Sequence, residues 1–253
     1  MTDILSPAAI SAAVAAVFLI SFFKGAFGGG VAMVGIPLMS LAMDPLVAGA
    51  VLAPLLLVMD AFALRHWSPR TWSRADVTWL IPGTLIGTAL AAWLLTGLDD
   101  RAVAALMGTL GLGFAGFWLA GGMSDRGWAA RPVFALSAAT ASGATSMIAH
   151  AGGPPLAIYL LGRGLPKEQY AGTTSIVFTF GNIAKVVPWL LISPPTAPML
   201  WLMAICTPVV PLAIWLGWRL HGRLDQRRLY AVCYGILILA SLKLLWNGVG
   251  GYL

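Results

Sequence analysis

The chain has 253 residues, 59% of them hydrophobic and only 9% charged, whereas a soluble domain carries about a quarter charged residues. Fifteen Lys and Arg with nine Asp and Glu are too few to cover a water-exposed surface of this size, and the mean hydropathy is +0.87. This excludes an ordinary soluble enzyme, a nucleic-acid-binding domain, a secreted disulfide scaffold and, despite 29 Gly and 16 Pro, a disordered chain; an all-α polytopic membrane protein remains.

A spanning helix needs about 20 mostly apolar residues. In chain order, the long apolar runs predict helices near Leu5–Phe23, Leu46–Leu64, Val77–Leu98, Ala102–Ala120, Val133–Ala149, Tyr170–Ile192, Met199–Leu216 and Leu229–Val249. Two shorter runs, Val31–Met43 and Pro155–Leu161, each follow a glycine-rich break, so helices are expected to restart at Val31 and Pro155. The start Met1-Thr2-Asp3 has no basic region, so the first run reads as a retained helix rather than a cleaved signal. Cys206 and Cys233 each stand alone in apolar surroundings and suggest neither a disulfide framework nor a zinc site.

The chain contains an internal echo. Gly29-Gly30 falls on Gly152-Gly153, and Ala48-Gly49 on Ala171-Gly172, at one offset of 123 residues. Pro82 then matches Pro208, and Leu98-Asp99-x-Arg101 matches Leu224-Asp225-x-Arg227, at 126. Ordered markers at nearly constant spacing predict two transmembrane repeats, residues 1–125 and 126–253.

Lys and Arg set the orientation. Eleven of the fifteen lie in four connectors: Arg65, Arg70 and Arg74; Arg126 and Arg131; Arg163 and Lys167; Arg219, Arg223, Arg227 and Arg228. The positive-inside rule places these in the cytoplasm, and the excess of base needs no nucleic-acid partner. Leu5–Met43 then enters and leaves on the outer side, and Val133–Leu161 on the inner side. Each half reads as a glycine-broken helical hairpin followed by three transmembrane helices. Corresponding loops face opposite sides, which is an inverted repeat of the kind used by secondary transporters.

Matched interruptions of apolar helices mark a transporter's binding site, because unpaired backbone at membrane depth must be buried in protein or line a cavity. The duller alternative is close packing through small residues, as Gly25-x-x-x-Gly29 would allow. Read as a site, the breaks supply Gly28, Gly29, Gly30, Gly152 and Gly153. A helix restarting after each would turn free N–H groups and a positive dipole end toward an anion. Nearby hydroxyls include Thr145 and Thr173, candidate ligands unless they merely bond the preceding helical turn. The ionisable residues inside apolar runs are Lys24, Asp60, His150, Lys185 and Lys243, each a functional candidate at membrane depth. Asp60 is expected to pair with a neighbouring cation, and Lys243 to snorkel or to pack with Asn247. Lys24 and His150 border the breaks, and Asn182 and Lys185 share a helix face. Such a cationic face favours an oxyanion, and His150 would couple transport to protons. The two tips, entering from opposite sides, are expected to meet in one cradle near mid-membrane. No P-loop, GxSxG, HExxH or paired Cys/His spacing occurs, so no enzyme, cofactor or metal is expected.

The stretch Thr145–Tyr159, TSMIAHAGGPPLAIY, with Tyr170-Ala171-Gly172-Thr173-Thr174 and Asn182-x-x-Lys185 downstream, resembles the sulfite exporter TauE/SafE family. The first-half stretch FKGAFGGGVAMVGIPL is similar to that family's N-terminal glycine motif. The resemblance implies a multi-pass bacterial inner-membrane permease exporting sulfite or a small organosulfonate; a proton or another coupling ion is a further expected partner. Membrane lipid and a homo-oligomer are the further expected partners. A passive anion channel or a non-transporting scaffold is the alternative. The first half has no counterpart of His150 or Pro154 when Gly29-Gly30 is aligned with Gly152-Gly153, so the site is expected to be chemically asymmetric.

Overall fold

The computed structural model describes residues 4–30, 32–95, 97–121, 131–224, 234–235, 237–239 and 241–246. Among them no strand occurs. The helices are α1 (Pro7–Phe27), α2 (Gly35–Met39), α3 (Pro45–Ala63), α4 (Arg74–Leu95), α5 (Asp100–Leu119), α6 (Pro132–Ala149), α7 (Gly153–Gly162), α8 (Lys167–Ile192), α9 (Ala197–Cys206) and α10 (Val209–Leu220). Six described stretches are long and apolar enough to cross a membrane: α1, α3, α4, α6, α8 and Ala197–Arg223, which joins α9 and α10. Their outer faces carry large apolar side chains in the open, with Trp93 and Leu191 each 76% exposed, as suits contact with lipid rather than water.

Local chemistry starts and stops these helices. Ser6 caps α1 by accepting from Ala9 N at 3.3 Å, and Pro7 occupies its first turn. Asp44 caps α3 by accepting from Leu46 N at 2.8 Å, with Pro45 next. Such residues satisfy or remove N–H groups that a helix start leaves free. α1 ends at Gly28, left-handed with φ 76°, whose N–H returns to Lys24 O. α6 ends in the same way at His150, φ 52°, whose N–H returns to Ser146 O.

Three expectations are corrected. The Met199–Leu216 run is not one helix: it breaks at Thr207-Pro208 between α9 and α10, because Pro208 lacks an N–H and its ring clashes with the preceding turn. After the second break the helix restarts at Gly153 rather than Pro155. After the first, a 3-10 turn over Ala32–Val34 leads into α2, only five residues long, so no long helix dipole points from that side. Val31, Arg126, Asp225–Arg228, Cys233 and Asn247 lie outside the described residues, as does much of Leu229–Val249.

The closest helix pairs cross between the halves. α4 packs on α6 through glycines: a Cβ on Gly87 would lie 1.9 Å from Thr140 O, and one on Gly143 2.0 Å from Thr84 O. α1 packs on α10 likewise, with Gly25 against Ile214 O and Gly217 against Phe22 O, at 2.1 and 2.0 Å for the added Cβ. Gly83 lies against Leu136 and Ala139 while Gly87 lies against Thr140 and Ala144, and Gly217 meets Phe22 while His221 Nδ1 meets Ala26 O, so the partners in each pair run parallel. Backbone-to-backbone approach of this kind is how small residues join membrane helices.

Similar contacts recur at an offset of 122 or 123 residues. Trp67 Nε1 donates to Lys24 O and Trp189 Nε1 to Met147 O, both at 3.0 Å. Gly28 abuts Ala171 O, 1.8 Å from an added Cβ, while the His150 ring bonds Gly49 O. Gly28 and His150 are 122 residues apart, as are Gly49 and Ala171. Thus each hairpin tip docks on the following helix of the other half.

Candidate functional site

The two glycine breaks touch. A Cβ added to Gly153 would lie 1.9 Å from Gly30 O and 2.7 Å from Gly30 Cα. Gly29 and Gly30 hold φ of 130° and 97°, backbone that an L side chain rarely adopts. Beside this junction is a cavity of about 10 Å³, room for roughly one water molecule. Gly29, Gly30, Lys24, Gly153, His150, Ser146, Asn182 and Lys185 form its polar wall, with Ile20, Leu56 and Phe178 as its apolar one. α8 brings Phe178, Asn182 and Lys185 from the middle of its 26 residues.

Its charges are buried. Lys24 is 2% exposed and its Nζ forms an ion pair with Asp60 Oδ1. Asp60 Oδ2 accepts from Asn182 Nδ2 at 2.5 Å. Lys185 is 1% exposed; its Nζ donates to Ser146 Oγ at 3.0 Å. Among the described residues no carboxylate lies within ion-pair reach of it. His150 Nε2 lies 3.2 Å from Gly49 O; as a carbonyl only accepts, Nε2 carries the proton and neutral His150 keeps a lone pair on Nδ1. That Nδ1 is buried without a partner. No three His, Cys, Asp or Glu among the described residues converge as a metal site requires.

Seven of the eleven sequence-derived candidates therefore share one wall: Lys24, Gly29, Gly30, His150, Gly153, Asn182 and Lys185. Four do not line it. Gly28 is the contact with Ala171. Gly152 carries its carbonyl to Ser142 Oγ, which donates at 2.7 Å. The Thr145 hydroxyl sits 2.8 Å from Ala141 O in the preceding turn and 3.1 Å from Ala151 O. Thr173 Oγ1 accepts from Ser73 N at 2.9 Å and fastens α8 to the start of α4. Nor does Lys24 stand ready to neutralise an anion, since Asp60 already holds it. Pro154 and Pro155 open α7 without N–H groups, so the second tip also offers fewer donors than an ordinary helix start.

A larger cavity of about 310 Å³ lies at the end that carries Lys167 and His221. Phe27 belongs to its wall and Gly29, two residues on, to the wall of the small cavity. Beside it the far end of α7 is tied to α4: Tyr159 OH and Arg163 Nε donate to Asp76 Oδ1 at 2.6 and 2.9 Å. The bond to Asp76 raises the Arg163 pKa above its ordinary value.

A model of the sulfite exporter TauE/SafE family matches residues 13–244, nearly the whole chain. The chain belongs to that family. No curated protein and no solved structure matches it. As a TauE/SafE protein it is a multi-pass membrane protein. Its buried cluster contains partners that motif reading did not assemble. Asp60 and Ser146 are central to it: Asp60 stands in no glycine motif, and Ser146 lies in the Thr145–Tyr159 stretch without any sign there of its bond to Lys185. Asp60 was detectable in principle, because ionisable residues at membrane depth pair with one another, but the sequence offers four bases within apolar runs and no distances.

Proposed function

We propose that the protein is a secondary transporter, in the export direction, of a small sulfur-containing anion such as sulfite or an organosulfonate, held between the two glycine tips in the bacterial inner membrane. The carrying observation is Lys185: a fully buried amino group facing the tip cavity without a carboxylate partner among the described residues. Charging such a group alone is costly, and an anion in the cavity is what would hold its ammonium form. The backbone of Gly29, Gly30 and Gly153 can approach that anion without side chains intervening.

Several features support a carrier with inverted repeats, residues 1–125 and 126–253. Similar contacts recur at an offset of 122 or 123 residues, each tip docks on the other half, and the two crossed helix pairs match. With a cavity of about 10 Å³, the site is closed, which favours alternating access over a pore open to both sides. The 310 Å³ cavity with Lys167 and His221 lies beside basic connectors assigned to the cytoplasm and suits loading from that side.

Purified protein reconstituted in proteoliposomes tests this with sulfite and a short organosulfonate. Saturable flux is expected, and Lys185→Met should weaken anion binding at least about thirtyfold, from the roughly 2 kcal/mol lost when a buried charge partner is removed. Unchanged affinity in Lys185→Met, or preference for a cation, would reject the proposal.

A further inference from the structure

We propose that Asp60 is a tethered stand-in for the transported anion: it holds Lys24 and Asn182 until a divalent anion takes them over, and it then accepts one proton. This rests on the anion-site reading above and adds the coupling group to it.

Competition follows from where the donors are. Lys24 and Asn182 both line the tip cavity, while Asp60 lies behind them. One Asp60 oxygen pairs with Lys24 Nζ and the other accepts from Asn182 Nδ2. A second anion in the cavity meets these same two donors, together with Lys185 and the Ser146 hydroxyl that Lys185 bonds. A carboxylate and an oxyanion cannot both take one ammonium proton and one amide proton at full strength.

Charge decides what happens to Asp60. Lys24 and Lys185 with Asp60 and a neutral His150 leave the cluster one positive charge. A monovalent anion brings it to zero. A divalent anion leaves one excess negative charge, buried, with two carboxylate oxygens stripped of donors. A proton on Asp60 returns the occluded cluster to neutrality, because like charges and burial both favour the neutral acid. The step is a proton transfer only: Asp60 gains an O–H bond, and the proton comes from water on the side from which the anion enters.

The surroundings of Asp60 contain few rivals. α1 presents Lys24 and α8 presents Asn182 and Lys185. α2 carries no titratable group and α9 only Cys206. α10 carries Arg219, exposed and stacked over Trp215. Arg65 and His66 follow α3 beyond its last turn. His150, across the cavity, and the Lys185 amine in the same wall are the other groups able to take the proton.

Calorimetry of sulfite binding tests the inference, in two buffers of different ionisation enthalpy and in the pH range where sulfite is fully divalent. Wild type should take up one proton per sulfite, with affinity falling about tenfold per pH unit rise, the slope for one linked proton. Asp60→Asn should bind sulfite with no proton uptake and no pH slope. In wild type alone, infrared difference spectra should show a carboxylic-acid C=O band appearing with sulfite, which keeps the test independent of how the variant folds. Sulfite binding without proton uptake or without that band overturns the role of Asp60 and leaves the anion site standing. So does uptake that persists in Asp60→Asn and vanishes in His150→Gln. Absence of sulfite binding by the wild type overturns the anion site itself and this inference with it.

Discussion

Gly153→Ala probes the contact on which the site depends. Gly153 opens α7, where helical backbone accepts alanine, so the conflict is purely with the other tip. The new Cβ would lie 1.9 Å from Gly30 O, against ordinary contact from 3.4 Å. The tips must therefore part by roughly 1.5 Å, and Gly30 cannot yield by rotating a side chain because the obstacle is its backbone. Overpacking of this kind costs about 1–3 kcal/mol. For a chain of this size that is a fall in melting temperature of roughly 3–9 °C at about 3 °C per kcal/mol. Displacing a binding geometry by about 1 Å reduces rates by up to about a hundredfold in well-fitted sites, so sulfite flux should drop at least tenfold. Gly113→Ala and Gly116→Ala on α5, where nothing lies within 4 Å of the added methyl, are the controls; they should be neutral or stabilising by up to about 1 kcal/mol. Thermal unfolding in detergent and proteoliposome flux give the two readouts. If Gly153→Ala matches the α5 controls in both, the tips do not form the site.

His150 sits at φ 52°, so His150→Gly should be more stable than His150→Ala by about 1 kcal/mol in detergent unfolding, the usual left-handed penalty, while both lose the ring contact to Gly49; equal stability would contradict the cap geometry. Asp76→Asn, which weakens the tie to Arg163 and Tyr159, should lower stability by about 1–3 kcal/mol and speed hydrogen exchange in α7 more than in α5. His66, partly buried beside Arg65, has its pKa lowered in the folded protein, first by desolvation and then by Arg65. The unfolded chain therefore binds the proton better, so stability is lost as pH falls through about 6.5, the unpaired value, and His66→Gln should flatten that part of the pH–stability profile. Single cysteines at Asp100 and Gly222, in a background lacking Cys206 and Cys233, should label from outside only at residue 100; equal labelling would reject the inverted topology.

Much of this arrangement was readable before any coordinates. The apolar runs Leu5–Phe23 and Leu46–Leu64 mark helices because their chemistry is local, and the matched glycine pairs mark breaks for the same reason. Asn182 and Lys185 share a face because helical spacing dictates it. What depends on distance between segments was not readable. Lys24 pairs with Asp60, 36 residues away, and nothing in the spacing prefers that partner to Lys185. Thr145 and Thr173 lie in the right segments, yet their hydroxyls turn to backbone groups, which rotamers decide. Aligning Gly29-Gly30 with Gly152-Gly153 also hid the counterpart of His150. Shifted by one residue, Gly28 takes that place: both end a helix in the left-handed region. The backbone role is shared, and only the second half adds a ring to it.

The crossed helix pairs bear on which parts can move. A carrier is often pictured as two repeats rocking against one another. Here the tightest contacts join α1 to α10 and α4 to α6, so the first helix of each half is fastened to the other half by backbone against backbone. Separating residues 1–125 from 126–253 as rigid bodies would pull apart Gly25 and Ile214, and Gly87 and Thr140, contacts with no side chain to stretch or rotate. The smaller adjustments lie elsewhere. α2 is five residues long, α7 is ten, and both breaks consist of glycines or a left-handed histidine. Motion about those breaks could open the junction of Gly30 and Gly153 while leaving both crossed pairs intact. The same junction carries the buried charges, so the proposed exchange of the partner of Lys24 and a movement of a tip would form one local event.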